Sequence, residues 1–189
     1  MNLFFDTEFT GLHKDTTLIS IGIIAENGKK FYAEFTDYDR EQCTSWISDN
    51  VLPNTVLGGN QDLAKQLGAN DNTTAVIARK ELLRIQLEKW LDQFDEIQFV
   101  SDVCHYDFTL LIDIFGGAFD LPRNVSPVCR DINQDIARHY DISEREAFDI
   151  NREDLVQSNF CCPEINESMK HNALHDAEII KNIFEGILN

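Results

Sequence analysis

Asp6-Thr7-Glu8 sets two carboxylates two residues apart, directly after the apolar run Leu3-Phe4-Phe5. Residues two apart in a strand point to one face, so both side chains would aim their oxygens at one place. Two such charges at 4 Å repel by about 4 kcal/mol at an effective dielectric of 20. The arrangement suits either a wet strand end or a hard divalent cation such as Mg²⁺ or Mn²⁺. A second Asp-x-Glu, Asp39-Arg40-Glu41, stands where a helix should start and reads as N-terminal capping charge. Further along, Asp102 and Asp107 bracket a strand-to-helix turn in SDVCHYDF. Either could reach a metal held by the first strand, and an Asp opening a helix also serves as a plain cap. Near the C-terminus, HNALHDA places His171 five positions before Asp176. Five helical residues turn about 140° net, so the two cannot share one stripe if both are helical. With His171 in the loop entering the last helix and Asp176 one turn inside, a fixed ligand would stand beside an imidazole free to swing. An imidazole titrating near neutral pH is the usual general base. The competing reading is a surface His beside a solvated Asp.

The elements that must position these groups begin with β-structure. Residues 2–6 form a short apolar strand, and TLISIGIIA (17–25) a second, without polar alternation and so expected to be buried on both faces. Glu26-Asn27-Gly28-Lys29 is a hairpin turn signal. KFYAEFT (30–36) follows as a third strand whose alternation suits a half-covered face. Residues 39–48 read as a short helix ended by Asp49-Asn50 before Pro53. The stretch 58–72 is polar, with scattered small residues, and reads as a flexible loop or lid. Residues 74–94 read as one helix, with Val76, Leu83, Leu87, Trp90, Leu91 and Phe94 drawing a buried stripe. A fourth strand is expected over 97–101, then helices over 108–115 (stopped by Gly116-Gly117), 131–140 and 172–188. Three antiparallel strands followed by strands alternating with helices predict a mixed α/β sheet flanked by helices.

The chain has 189 residues, which predicts a single domain over 1–189, large enough to bury a full core. It carries 16 Lys plus Arg against 33 Asp plus Glu, a formal charge of −17. That balance excludes a broad basic face for gripping nucleic acid. A polyanionic substrate would need its positive charge from elsewhere, and bound divalent metal would supply it. The alternative is that the acid excess only keeps the protein soluble. The five cysteines (43, 104, 129, 161 and 162) form no Cys-x-x-Cys and no zinc spacing, so all five are expected as reduced thiols in a cytoplasmic protein. Neither a signal peptide nor an apolar run of membrane-spanning length is visible.

Taken in order, the three motifs FFDTEFTGL, SDVCHYDF and HNALHDA resemble those of the DEDDh family of 3′-5′ exonucleases, which has an RNase H-like fold. The likeness covers roughly residues 2 to 184 and is nearest to the small 3′-5′ exoribonucleases. It selects Asp107 over Asp102 as the acid of the second motif, with Val103 standing where Asn is common and Tyr106 where Phe is commoner. The resemblance implies Asp6, Glu8, Asp107 and Asp176 as ligands of two Mg²⁺ (or Mn²⁺) ions and His171 as general base. Two such ions acidify a water and relieve charge on the leaving 3′ oxygen. It also implies that Phe9, Thr10 and Leu12 lie near the terminal nucleoside, Phe9 or Leu12 against the base and Thr10 at the 3′ hydroxyl. For Phe9, ordinary core packing is the competing role. The implied activity is release of nucleoside 5′-monophosphates from single-stranded or 3′-overhang RNA, by a protein expected to dimerise. The alternatives are a DNA-directed exonuclease with the same ligands and a non-catalytic nucleic-acid-binding module on the same fold.

Overall fold

The computed structural model describes residues 1–159 and 169–188. A six-stranded mixed sheet has strand order β4-β3-β2-β1-β5-β6, with β4 formed by Thr73–Ala78 and β6 by Arg130–Asp131. β1 (Asn2–Phe9) lies at its centre, antiparallel to β2 (Leu18–Ala25) and parallel to β5 (Gln98–Ser101). The hairpin at Gly28 (φ 82°) leads into β3 (Lys30–Phe35), antiparallel to β2. The three antiparallel N-terminal strands are therefore present, in an α/β architecture of the RNase H-like kind.

Several boundaries differ from expectation, each for a local reason. β1 does not stop at Asp6 but continues to Phe9, because its pairing with β2 runs past the acids to Phe9 opposite Leu18. Asp6 and Glu8 thus lie within a strand, on the face that carries Phe4. β3 is buried from Phe31 through Phe35 instead of half covered, since Leu83, Leu87 and Trp90 cover the Phe31 face and Leu63, Leu67 and Leu174 cover Tyr32 on the other. The helix expected over 39–48 is divided: Asp39 caps a single 3₁₀ turn (Arg40–Gln42), and Thr44 then caps α1 (Ser45–Asn50). The acids of the second Asp-x-Glu do serve as capping charge, with the Glu41 amide donating to Asp39 Oδ1 at 3.0 Å.

The stretch 58–72 is not a loop. It forms α2 (Gln61–Gly68), capped by Asn60, with Leu63 and Leu67 buried one turn apart against Ile24 and Tyr32. The segment 74–94 is not one helix either. Its β-branched start, Thr73–Ala78, pairs parallel to β3 as edge strand β4, and α3 begins at Lys80 and runs to Leu91. Val76 packs on the same core as Leu83, so the spacing that suggested one stripe spans two elements. Next come α4 (Cys104–Phe115), ended by left-handed Gly116, the two-residue strand β6 (Arg130–Asp131) and α5 (Ile132–Tyr140). α6 (Glu144–Asp149), α7 (Arg152–Asn159) and α8 (Ala173–Leu188) complete the chain.

The two sheet faces bury separate cores. Leu3 and Phe5 pack with α3 and α4, whereas Phe4 and Val100 pack with α5, α7 and α8. Gly22, opposite Asp6 in the β1–β2 register, allows the start of α8 to lie directly on the sheet. A Cβ at Gly22 would come within 2.4 Å of the Ala173 carbonyl oxygen and 2.3 Å of the Leu174 amide. Both are backbone atoms and cannot step aside. Gly22→Ala should therefore lift the α8 N-terminus off the sheet and cost about 3 kcal/mol, lowering Tm by about 6–12 °C in thermal denaturation. A melting point equal to wild type would contradict this close approach.

Candidate active site

Three structural elements converge on the acidic face of β1. The first is β1 itself, which carries Asp6 and Glu8 side by side. The second is the β5–α4 turn. α4 begins at Cys104, so Asp107 lies in its first turn rather than at its cap. Asp107 is 1% exposed, and both its oxygens accept hydroxyl hydrogen bonds, Oδ1 from Thr7 at 2.6 Å and Oδ2 from Ser101. Thr7 points away from its neighbours Asp6 and Glu8, which is why it can meet a helix from the other side of the strand.

The third element is the entry to α8. Buried Asn172 caps this helix, its Oδ1 accepting from the His175 amide at 3.2 Å and its Nδ2 donating to the Asn54 carbonyl at 2.7 Å. His171 sits just before it with φ 62°, in the left-handed region, and Asp176 follows in the first helical turn. His171 Nδ1 is 4.0 Å from Glu8 Oε1, and the ring of half-exposed Trp46 meets the imidazole edge-on at 5.0 Å. His171 in the loop and Asp176 on the rigid helix is the arrangement the five-residue spacing predicts.

Ligand atoms of Glu8, His171 and Asp176 lie within 4.8 Å of one another, as do those of Asp6, Asp102 and Asp107. His171 and Asp176 of the first group and Asp6 and Asp102 of the second border one cleft of about 270 Å³, together with Arg152 and Lys170. Burial is the main cause that raises the Asp6 and Glu8 carboxyls well above their usual range, and the neighbouring acids raise them further. Burial likewise pushes Asp107 up to about 7, against the pull of the Ser101 and Thr7 hydrogen bonds. Asp176 rises to about 8, from burial first and then the charge of Asp102. Carboxylates gathered at such a cost to their ionised forms fit a divalent cation: all-oxygen donors, acidic in excess, with one imidazole at the edge. Burial, helped by Lys170, holds His171 below the ordinary histidine range, so its imidazole is neutral at pH 7.

The structure brings Asp6, Glu8, Asp107, His171 and Asp176 together, and adds Asp102. That acid is paired with Arg152 at 3.1 Å, and Arg152 also donates to the Ala147 and Ile150 carbonyls and to Asn133. Phe9 stacks on Tyr106, 5.6 Å between centroids, and leans on the core. Thr10 is 1% exposed, with its hydroxyl donating to Gln42 and accepting from the Thr17 amide. Leu12 stands 72% exposed beyond the strand end. Of these three, Thr10 spends its polar atom on the turn that closes β1 and β2. Trp46, Asn133 and Arg152 were not legible as site neighbours: Arg152 lines the cleft, Trp46 touches His171 and Asn133 holds Arg152, each through long-range packing with no local spacing of its own. Cys43, Cys104 and Cys129 are free thiols, whereas Cys161 and Cys162 lie outside the described residues. Among the described residues, no helix is long and apolar enough to cross a membrane.

A family model for the 3′-5′ exoribonuclease Rv2179c-like domain matches residues 1–188. Two curated proteins of Mycobacterium tuberculosis are similar over 136 residues, at 32% identity: 3′-5′ exoribonuclease Rv2179c of strain H37Rv and 3′-5′ exoribonuclease MT2234.1 of strain CDC 1551. The aligned region spans 71% of this chain and 73% of each relative. Among solved structures, the nuclease domain of 3′hExo, a DEDDh family member bound to rAMP, superposes with a TM-score of 0.61. That match covers 97% of this chain and 88% of the other at 12% identity, a likeness of fold.

Proposed function

The chain belongs to the Rv2179c-like 3′-5′ exoribonuclease domain family, and from that premise we propose that Asp6, Glu8, Asp107, Asp176 and His171 are its working residues. The activity is metal-dependent hydrolysis of phosphodiester bonds at the 3′ end of RNA. In this reading Asp6, Glu8, Asp107 and Asp176 hold two Mg²⁺ or Mn²⁺ ions. When bound, the ions neutralise the scissile phosphate, acidify a water and relieve charge on the leaving oxygen. The observation that carries the proposal is the convergence of acids from β1, the β5–α4 turn and α8 on one cleft beside His171, with Asp107 buried directly behind Asp6 and Asp102.

Each residue has a part that follows from its placement. β1 holds Asp6 and Glu8 rigidly, without a loop's freedom. Thr7 and Ser101 fix the Asp107 carboxylate by donating to both its oxygens. His171, neutral at pH 7 and set on a turn, accepts the proton of the attacking water. Trp46 limits where the imidazole can swing. Phe9 and Leu12 offer apolar surface to the terminal base, and Thr10 braces the turn on which they stand. The finer parts of the proposal are a single-stranded or 3′-overhang substrate, a cytoplasmic setting suited to free thiols, and a homodimer. Leu82 and Ile85, exposed together on α3, support the last.

The test is product analysis on matched RNA and DNA oligonucleotides, with Mg²⁺ and with chelator. Nucleoside 5′-monophosphates should accumulate from RNA only when metal is present. His171→Ala should slow their release about 10²–10⁴-fold while retaining the metal-induced rise in melting temperature. Intact RNA under all conditions would favour a binding module, and faster loss of DNA a DNA-directed enzyme.

A further inference from the structure

Cys104 and Cys129, 25 positions apart in sequence, bring their sulfurs to 2.7 Å. Cys104 is the first residue of α4, three before Asp107, and Cys129 immediately precedes β6. Both residues are half-buried. The Cys104 thiol also lies 3.1 Å from the Arg130 carbonyl oxygen and 3.6 Å from that of Ser101, which holds its sulfur toward β6. Hydrolysis as described above uses neither thiol.

We propose that Cys104 and Cys129 are a thiol-oxidation site, closing to a reversible disulfide that staples the β5–α4 turn to edge strand β6. A disulfide sets its sulfurs about 2.05 Å apart. The pair therefore needs to close by only about 0.7 Å. Chemically, one cysteine thiolate attacks a sulfur of an oxidised low-molecular-weight disulfide such as glutathione disulfide, forming a mixed disulfide and releasing one glutathione thiolate. The second cysteine thiolate attacks the protein sulfur of that mixed disulfide and expels the other glutathione thiolate. The protein loses two protons and two electrons, and glutathione disulfide gains them. The bond closes the loop 104–129 in the unfolded chain, so it stabilises the folded form. It leaves Asp107 in place, because Thr7 and Ser101 still hold both carboxylate oxygens.

The test treats the full chain with glutathione disulfide, alkylates the remaining thiols and maps the peptides by mass. Expected are a Cys104–Cys129 cross-linked peptide about 2 Da lighter than its two reduced parts, reversal by dithiothreitol, and a Tm rise of about 5–10 °C. Cys129→Ser should abolish both the cross-link and the rise. Alkylation of both residues after oxidation would overturn the proposal, as would a cross-link from Cys104 to any other cysteine. A closed bond without a Tm rise would overturn the stapling. None of these readouts depends on the exonuclease reading. Where ribonuclease activity is measured, the oxidised protein should retain it, an expectation that follows from the Thr7 and Ser101 anchors of Asp107. A tenfold loss would instead mean that the bond displaces the turn.

Discussion

Asp107→Asn should reduce release of nucleoside monophosphates by about 10³-fold or more, as expected when a residue that acts only in charge stabilisation is lost, while the protein stays folded. The first half follows from donor chemistry. An amide offers one weak oxygen where a carboxylate offers two charged ones, so metal held partly by Asp107 is lost or misplaced. The second half follows from the hydrogen bonds. Both Asp107 oxygens accept from hydroxyls, those of Thr7 and Ser101. A hydroxyl can rotate and accept one hydrogen of the new NH₂ group, so the substitution keeps one hydrogen bond at each end of the side chain. Removing a carboxyl that burial disfavours should also make the metal-free variant at least as stable as wild type. Rate assays with labelled RNA and thermal melts without metal check the two halves separately. A variant within threefold of wild-type rate would show that Asp107 is not a ligand, and an unfolded one would show that its role is structural.

The same residue shows what a sequence can and cannot reveal. Asp6, Glu8, His171 and Asp176 could be singled out as candidates because each stands at a fixed offset from a local signal, an apolar strand or a helix entry, whereas only the family resemblance chose Asp107 over Asp102. The three antiparallel strands were legible through the Gly28 turn and their apolar runs. Edge strand β4 was not, because its register with β3 is a long-range choice, and Val76 happened to keep helical step with Leu83. α2 was hidden because its helical pattern rests on only two buried leucines in a polar stretch. Asp102 was visible as an acid near the site, yet its pairing to Arg152 across 50 positions was not. Nor was the need for Gly22, which arises only once α8 lies on the sheet opposite Asp6. Residues whose role is set by tertiary contact leave no spacing to read.

The largest solution effect should be the joint dependence of stability on pH and metal. Without metal, burial holds the Asp6 and Glu8 carboxyls well above the usual range and pushes Asp107 up to about 7 and Asp176 up to about 8. In the unfolded chain these groups ionise near their ordinary values, about 4. Below that pH both states are protonated and the cluster costs nothing. Between pH about 4 and about 8 the unfolded chain releases protons that the folded protein retains. Stability is thus fully present at the acid end and falls as pH rises through the folded values, levelling off above them. The metal-free protein should accordingly lose on the order of 10 °C in Tm between pH 5 and pH 8. Divalent metal reverses the sign of the effect, since it binds the ionised carboxylates and replaces their mutual repulsion with attraction. At 100 times its Kd, each ion should add about 2.7 kcal/mol, or about 5–10 °C. This gain should be largest at pH 8 and shrink at pH 5, where protons compete for the same oxygens. Melting curves at pH 5, 6, 7 and 8, with chelator and with millimolar Mg²⁺ or Mn²⁺, give the full surface. Asp107→Asn should flatten it in both directions, which separates the cluster from the many exposed acids of a chain at −17. A metal-free Tm that rises from pH 5 to 8, or a metal shift independent of pH, would mean that these carboxylates are not buried together at one metal site.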